Sequence, residues 1–278
     1  MASGEFDFSD QDFQRVRRII NEVAGISMAD SKRELVYGRL AKRLRQRGFQ
    51  RFSDYCDLLE TGEDEAEQRE FVNALTTNLT AFFRELHHFD FLGKELLPTL
   101  IRARSLSNRR IRIWSAGCST GEEPYSIAMV VRETLPAVGW DVKILATDLD
   151  SNVLATAERG VYESNRVKDL SEARLRRWFQ KGRNAQSGSV RTAPALRDLI
   201  TFRQLNLMDD WPMRGPFDVI FCRNVVIYFD KPTQSVLFER FADLLIERGH
   251  LFVGHSESLF KVTERFAPLG KTIYQKCL

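Results

Sequence analysis

Apolar residues in the first third of the chain recur at helical spacing. Phe13, Val16, Ile19, Ile20 and Val23 form one stripe, opened by Ser9 or Asp10 as a helix start and closed by Gly25. A second stripe, Val36, Leu40 and Leu44, starts near Asp30 or Ser31 and runs to Gly48, with Glu34 in capping-box register with Ser31. Thr61-Gly62 separates two shorter helical segments, 52–60 and 64–77. Glu63, Asp64, Glu65 and Glu67 suit the positive N-terminal end of the second. Residues 1–85 therefore read as an all-helical domain and linker.

After a helix over 86–104 the pattern changes to short β-like runs alternating with helices. Strands are expected at 111–115, 142–147, 199–205, 217–222 and 250–254, and helices at 122–135, 151–158 and 231–247. That alternation predicts an α/β domain over 86–278 with a doubly wound, mostly parallel sheet. A last β-like run, Thr272 to Cys277, would add an edge strand. Residues 160–205 interrupt the alternation with a helix at 171–180, the polar run GRNAQSGS and β-like pieces. Such a connection is either a lid over the sheet edge or an inserted, partner-binding β-subdomain.

Composition narrows the class. Hydrophobic residues at 43% and charged residues at 28% fit a globular protein, and a net charge of +3 is too small to argue for nucleic acid. The four cysteines show no C-x-x-C spacing, and neither His87-His88 nor His250 with His255 resembles a metal site, so no metal is expected. The acidic start lacks an apolar leader and no stretch could span a bilayer, which predicts a cytoplasmic protein without membrane insertion. Segment 30–51 carries eight basic and two acidic residues. Lys32, Arg39, Lys42 and Arg43 share one arc there, either a solvated face or a docking surface for an acidic partner.

The chemistry centres on the strand–turn–helix unit at 111–135. The small-residue turn 116–121, Gly117 within it, lets a ligand approach the backbone. No Gly-Lys-Ser/Thr ends the turn and G-x-G-x-x-G spacing is absent, while Glu122 and Glu123 would repel a phosphate at the helix start. A cationic ligand without phosphate fits better, which favours S-adenosylmethionine over NAD. Asp148, 27 residues after Gly121, is placed either to accept from ribose hydroxyls or to cap the next helix. Asn206-Leu207 lies where an adenine edge could be read, or forms a simple turn.

TTNLTAFFRE (76–85), SAGCSTGEEPYS (115–126), ATDLD (146–150) and FCRNVVIYFD (221–230) resemble, in order and spacing, the motifs of the chemotaxis receptor methyltransferases, the CheR family. The resemblance covers nearly the whole chain. It implies S-adenosylmethionine-dependent O-methylation of glutamates on the cytoplasmic helices of methyl-accepting chemoreceptors, with S-adenosylhomocysteine as product. Cofactor contacts are thereby implied for Asn78, Thr80, Arg84, Gly117, Glu123, Asp148, Asn206, Leu207, Arg223 and Asn224. Arg84 and Tyr228 resemble the pair that flanks the reacting methyl group, and the basic second helix resembles the receptor-facing surface. In some members the β-subdomain takes a C-terminal peptide of the receptor; GRNAQSGS differs in sequence from the loop associated with that tether.

The residues suit such a reaction. A glutamate nucleophile is already ionised at neutral pH, so no general base is needed. Arg84 could align the carboxylate, and Tyr228 could line the methyl path or be a core aromatic. Two other readings are a nucleic-acid methyltransferase and a non-catalytic, cofactor-sensing receptor-docking protein. The first would want a Pro-Pro-aromatic motif, and the chain has no Pro-Pro.

Overall fold

The structure, a computed structural model, describes residues 5–104, 108–136 and 139–277; the extreme ends of the two expected domains lie outside the described residues. Helix α1 (Asp10–Ala24) opens at Ser9 with a reciprocal capping box to Asp12 and closes on Gly25, whose φ of 69° is left-handed. Helix α2 (Arg33–Arg47) buries Val36, Leu40, Ala41 and Leu44. The box expected at Ser31 and Glu34 does not form, because a 3-10 turn over Asp30–Lys32 delays the helix to Arg33 and takes Ser31 out of the cap position. Helix α3 (Phe52–Thr61) is followed by α4 (Glu65–Leu75), capped by Asp64. Helix α4 stops two residues short of the expected 77, since Thr76 is extended and donates from Oγ1 to Asp150 at 2.9 Å. Glu67 is no surface acid: it is 2% exposed and accepts from Tyr55 Oη at 2.8 Å and from Arg43.

Helices α5 (Leu86–Phe91) and α6 (Leu97–Arg104) are joined by a π-helical turn, Leu92–Leu96. The wide turn precedes Pro98, which has no N–H to continue regular α-helical bonding. Then follow β1 (Arg110–Ala116), α7 (Glu122–Thr134), β2 (Asp141–Asp148) and α8 (Ser151–Arg159). The irregular stretch contains β3 (Val161–Glu163), α9 (Glu172–Trp178), β4 (Phe179–Lys181), β5 (Ser189–Thr192) and the short α10 (Pro194–Arg197). Its strands form an antiparallel sheet in the order β3-β5-β4. Strands β6 (Ile200–Gln204) and β7 (Phe217–Cys222), helix α11 (Lys231–Leu244), and strands β8 (Leu245–Val253), β9 (Phe266–Gly270) and β10 (Ile273–Lys276) complete the chain.

The main sheet runs β6-β2-β1-β7-β8-β10-β9, parallel from β6 to β8, with β10 antiparallel to both β8 and β9. Two expectations change here. The last strand is not the edge, because β9, unseen in the pattern, pairs outside it. Helix α11 ends at Leu244 rather than 247, and its strand begins at once: Leu245 is extended, 3% exposed and paired with Phe217. A bulge then intervenes before His250 pairs with Val219.

Both faces of the sheet are covered. In β1, Ile111 and Ile113 pack into the core shared with α5, α6 and α7, while Trp114 and Ala116 face α11 and the N-terminal helices. The second of these cores is continuous from α1–α4 into the sheet. The helical N-terminus is thus seated on the sheet, above the carboxyl ends of its parallel strands.

Candidate functional site

At the carboxyl ends of β1, β2 and β7 lies a cavity of about 410 Å³, within the usual range for small-ligand sites. Chain order reverses here, β1 leading to β2 on one side and β7 returning on the other, which opens a crevice between strand ends. Every expected cofactor residue lines it: Asn78, Thr80, Arg84, Gly117, Glu123, Asp148, Asn206, Leu207, Arg223 and Asn224, with Tyr228 beside them. Of the four residues on the basic arc only Lys32 reaches it.

The turn after β1 forms the floor. Gly117 has φ 82°, and a Cβ there would meet Val225 Cγ2 at 2.3 Å, so only glycine fits. Ser119, also left-handed at φ 49°, donates its N–H to Asp148 Oδ2 at 2.7 Å and its hydroxyl to the Asn78 carbonyl at 2.9 Å. Asp148 is therefore not the helix cap. That role belongs to Asp150, which accepts from Asn152 N at 2.9 Å. Burial raises the Asp148 carboxyl to about 6 despite its backbone bonds from Asp150 and Ser119. Each of its oxygens keeps a lone pair for a ligand hydroxyl.

Glu123 accepts from Ser115 Oγ at 2.7 Å and from Arg223 Nη1 at 3.0 Å. Burial pushes its carboxyl up, and the Arg223 charge opposes that shift. Arg223 also donates to the Arg84 carbonyl, so the strand end of β7 holds the segment before α5. Arg84 donates from Nη1 to the Leu79 carbonyl at 2.8 Å, while Tyr228 accepts at its carbonyl from Ser27 N at 2.7 Å.

Some expected residues serve the wall rather than present a free side chain. The Asn78 amide donates to Asp150 at 2.7 Å, and the Asn206 amide donates to the Val23 carbonyl at 2.7 Å. On the basic arc, Arg39 donates to the carbonyls of Leu75 and Thr76, both at 2.8 Å, and Arg43 pairs with Glu67 at 2.6 Å. Those two arginines bind α4 from within, which leaves Lys32 and Lys42 exposed.

Four features had no signal in the sequence. The loop of Ile26, Ser27, Met28 and Ala29 walls the cavity from the N-terminal side. Glu257 accepts from Asn224 N at 2.8 Å and Ile227 N at 3.2 Å, fixing the loop after β7. Arg166, in the stretch after β3, pairs with the fully buried Glu122 and donates to the Thr80 carbonyl at 3.1 Å. Tyr162 in β3 donates to the Thr120 carbonyl at 2.8 Å, so the small sheet is tied to the binding turn at two points.

Asp148 and Glu123 give the cavity carboxylates that can accept from ligand hydroxyls and face a cationic group, among the basic side chains of Lys32, Arg84 and Arg223. The Gly117 cradle admits a ligand close to backbone. These features fit S-adenosylmethionine, whose ribose and positively charged methionine end need such partners.

Comparisons with known proteins agree. The family model described as "CheR methyltransferase, SAM binding domain" matches residues 78–275, and "CheR methyltransferase, all-alpha domain" matches residues 11–76. The chain is 46% identical over 271 residues to "Chemotaxis protein methyltransferase 2" of Pseudomonas aeruginosa, covering 97% of this chain and 94% of that one. It is 45% identical over 254 residues to "Probable chemotaxis protein methyltransferase" of Rhizobium etli, covering 91% and 94%. It is 44% identical over 267 residues to "Chemotaxis protein methyltransferase" of Escherichia coli, covering 96% and 91%.

Proposed function

This chain belongs to the CheR methyltransferase family, and from that premise we propose that it methylates glutamate side chains on the cytoplasmic helices of bacterial chemoreceptors. It uses S-adenosylmethionine, which supplies a methyl group activated by the sulfonium that carries it. The observation that supports the reading most is the presence, in one cavity, of two carboxylates able to hold the cofactor (Glu123 and Asp148) and of Arg84 and Tyr228 for the acceptor.

The work left to the chain's own residues is alignment. An acceptor carboxylate needs no proton removed at neutral pH. Holding reactants in near-attack geometry can lower a barrier by roughly 7–11 kcal/mol. Arg84 is suited to grip one carboxylate oxygen while the other stays free to attack. Its bond to Leu79 limits how tightly it can hold the ground state. Tyr228 offers a ring face tolerant of positive charge. Residues of loops 26–29 and 224–228 wall the cavity around them.

The proposed domain division is residues 1–85 for the helical domain and 86–278 for the catalytic one. Lys32 and Lys42, with Arg39 and Arg43 shaping the helix beneath them, would face the acidic receptor helices. A receptor C-terminal peptide would meet the small sheet. The protein would act at the cytoplasmic side, without entering the membrane; no helix among the described residues is long and apolar enough to cross one.

The test uses methyl-labelled S-adenosylmethionine and receptor cytoplasmic fragments. Alkali should release volatile labelled methanol from the receptor, as glutamyl methyl esters require. Label that resists alkali, or that appears on nucleic acid instead, would refute the assignment.

A further inference from the structure

A cluster just behind the cavity is not used by the reaction. His88 is fully buried, and its Nε2 lies 3.0 Å from the Lys271 carbonyl oxygen and 3.1 Å from Thr272 Oγ1. A carbonyl only accepts, so Nε2 carries the proton and Nδ1 presents a bare lone pair. That Nδ1 faces Glu85 Oε2 at 3.5 Å, an oxygen that Arg223 Nη2 approaches to 3.4 Å; among the described residues His88 Nδ1 itself has no hydrogen-bond partner. His88 Nδ1 is thus a buried acceptor that no described donor reaches, at the edge of a carboxylate. The Nε2 of the partly exposed His87 lies 3.2 Å from the same Lys271 carbonyl oxygen, which directs its Nδ1 to the acceptor form as well. One donor atom each from Glu85, His87 and His88 fall within 4.8 Å of one another.

Glu85 Oε1 accepts from the His255 N–H at 3.2 Å, so the carboxylate is held in place. Arg223 Nη2 lies 3.4 Å from Glu85 and its Nη1 3.0 Å from Glu123, so one guanidinium is shared by two carboxylates. Imidazole rings whose outer nitrogens donate to a backbone carbonyl are oriented as metal-binding histidines are.

We propose that Glu85, His87 and His88 form a binding site for a divalent transition cation of the zinc class, held by Glu85 Oε2 and the two Nδ1 atoms. Two imidazoles and a carboxylate with an open fourth position suit zinc and not magnesium. The expectation that no histidine pairing would make a metal site weighed the histidines alone, without Glu85. It also had no means of seeing the carbonyl of Lys271, which sets both tautomers. Glu85 has a left-handed backbone at φ 57° and follows Arg84 directly. Its side chain, held by a cation, would pin the backbone that carries the arginine facing the acceptor.

The test is independent of methyl transfer. Zinc chloride is titrated calorimetrically into the full chain carrying Cys277→Ser, which removes the exposed thiol. One zinc should bind per chain while magnesium chloride gives no heat, and X-ray absorption should show nitrogen and oxygen ligands without sulfur. His87→Ala and Glu85→Gln, assayed separately, should each weaken binding by at least about tenfold, the lower end of what loss of even an outer metal partner costs. The site is refuted if zinc gives no saturable heat, or if both variants bind as the parent does. It is equally refuted if 15N shifts put a proton on His88 Nδ1 in the metal-free chain, since that nitrogen would then be no acceptor.

Discussion

Arg223 Nη1 lies 3.0 Å from Glu123 Oε2, joining residues 100 positions apart at the ends of β7 and the start of α7. Both side chains are almost wholly buried, at 2% and 10% exposure, so each neutralises a charge that water cannot reach. Arg223→Met should cost about 3–5 kcal/mol of stability by urea unfolding, because it strands Glu123. Adding Glu123→Gln should recover part of that loss. Equal stability of the single and double variants would show that the pair does not act as a unit.

Gly117→Ala puts a Cβ 2.3 Å from Val225 Cγ2 at a backbone φ of 82°. The overpacking should cost about 1–3 kcal/mol, and S-adenosylhomocysteine affinity should fall with it. Val225→Ala in the same chain should restore the steric part and leave the backbone strain. Calorimetric affinities of the three chains check this.

Asp148 titrates near 6, raised from 3.8 by burial. If its ionised oxygens receive the ribose hydroxyls, S-adenosylhomocysteine affinity should decline as pH falls through about 6, and Asp148→Asn should flatten that profile. The effect on folding has the opposite sense. A carboxyl raised in the folded state favours folding below its unfolded value, and that contribution is lost as pH rises through about 6. Stability curves of parent and Asp148→Asn, compared between pH 4 and 7, should diverge in that direction.

Arg84 lines the cavity, and among the described residues its guanidinium is anchored on the Leu79 carbonyl. Arg84→Ala should lower turnover by about 10²- to 10³-fold, the loss typical of one oriented donor, while S-adenosylhomocysteine still binds. Arg84→Lys should recover little, since an ammonium cannot fork across a carboxylate. Single-turnover rates beside calorimetry separate the two effects.

Local order carried much of this protein. Ser9, Gly25 and the stripe between them specify α1, and the uncharged run Ile113 to Ala116 fits the part of β1 that is buried on both faces. The turn 116–121 declares a ligand site, since its small residues and Gly117 can adopt backbone that others cannot. The resemblance of the motif segments around Asn78, Asp148 and Arg223 to a known family implied one ligand site, and these residues do line one cavity.

Tertiary structure decided the rest, where the cause lies far along the chain. Strand β8 starts at Leu245 because Phe217 is there to pair with it, and Arg39 and Arg43 turn inward because α4 offers them carbonyls and Glu67. Loop 26–29, Glu257 and Arg166 reach the site across long separations, and no spacing along the sequence encodes those contacts. Periodicity reports which face of an element is apolar; which polar group meets which, and so which charges share a buried space, is settled only when the elements pack.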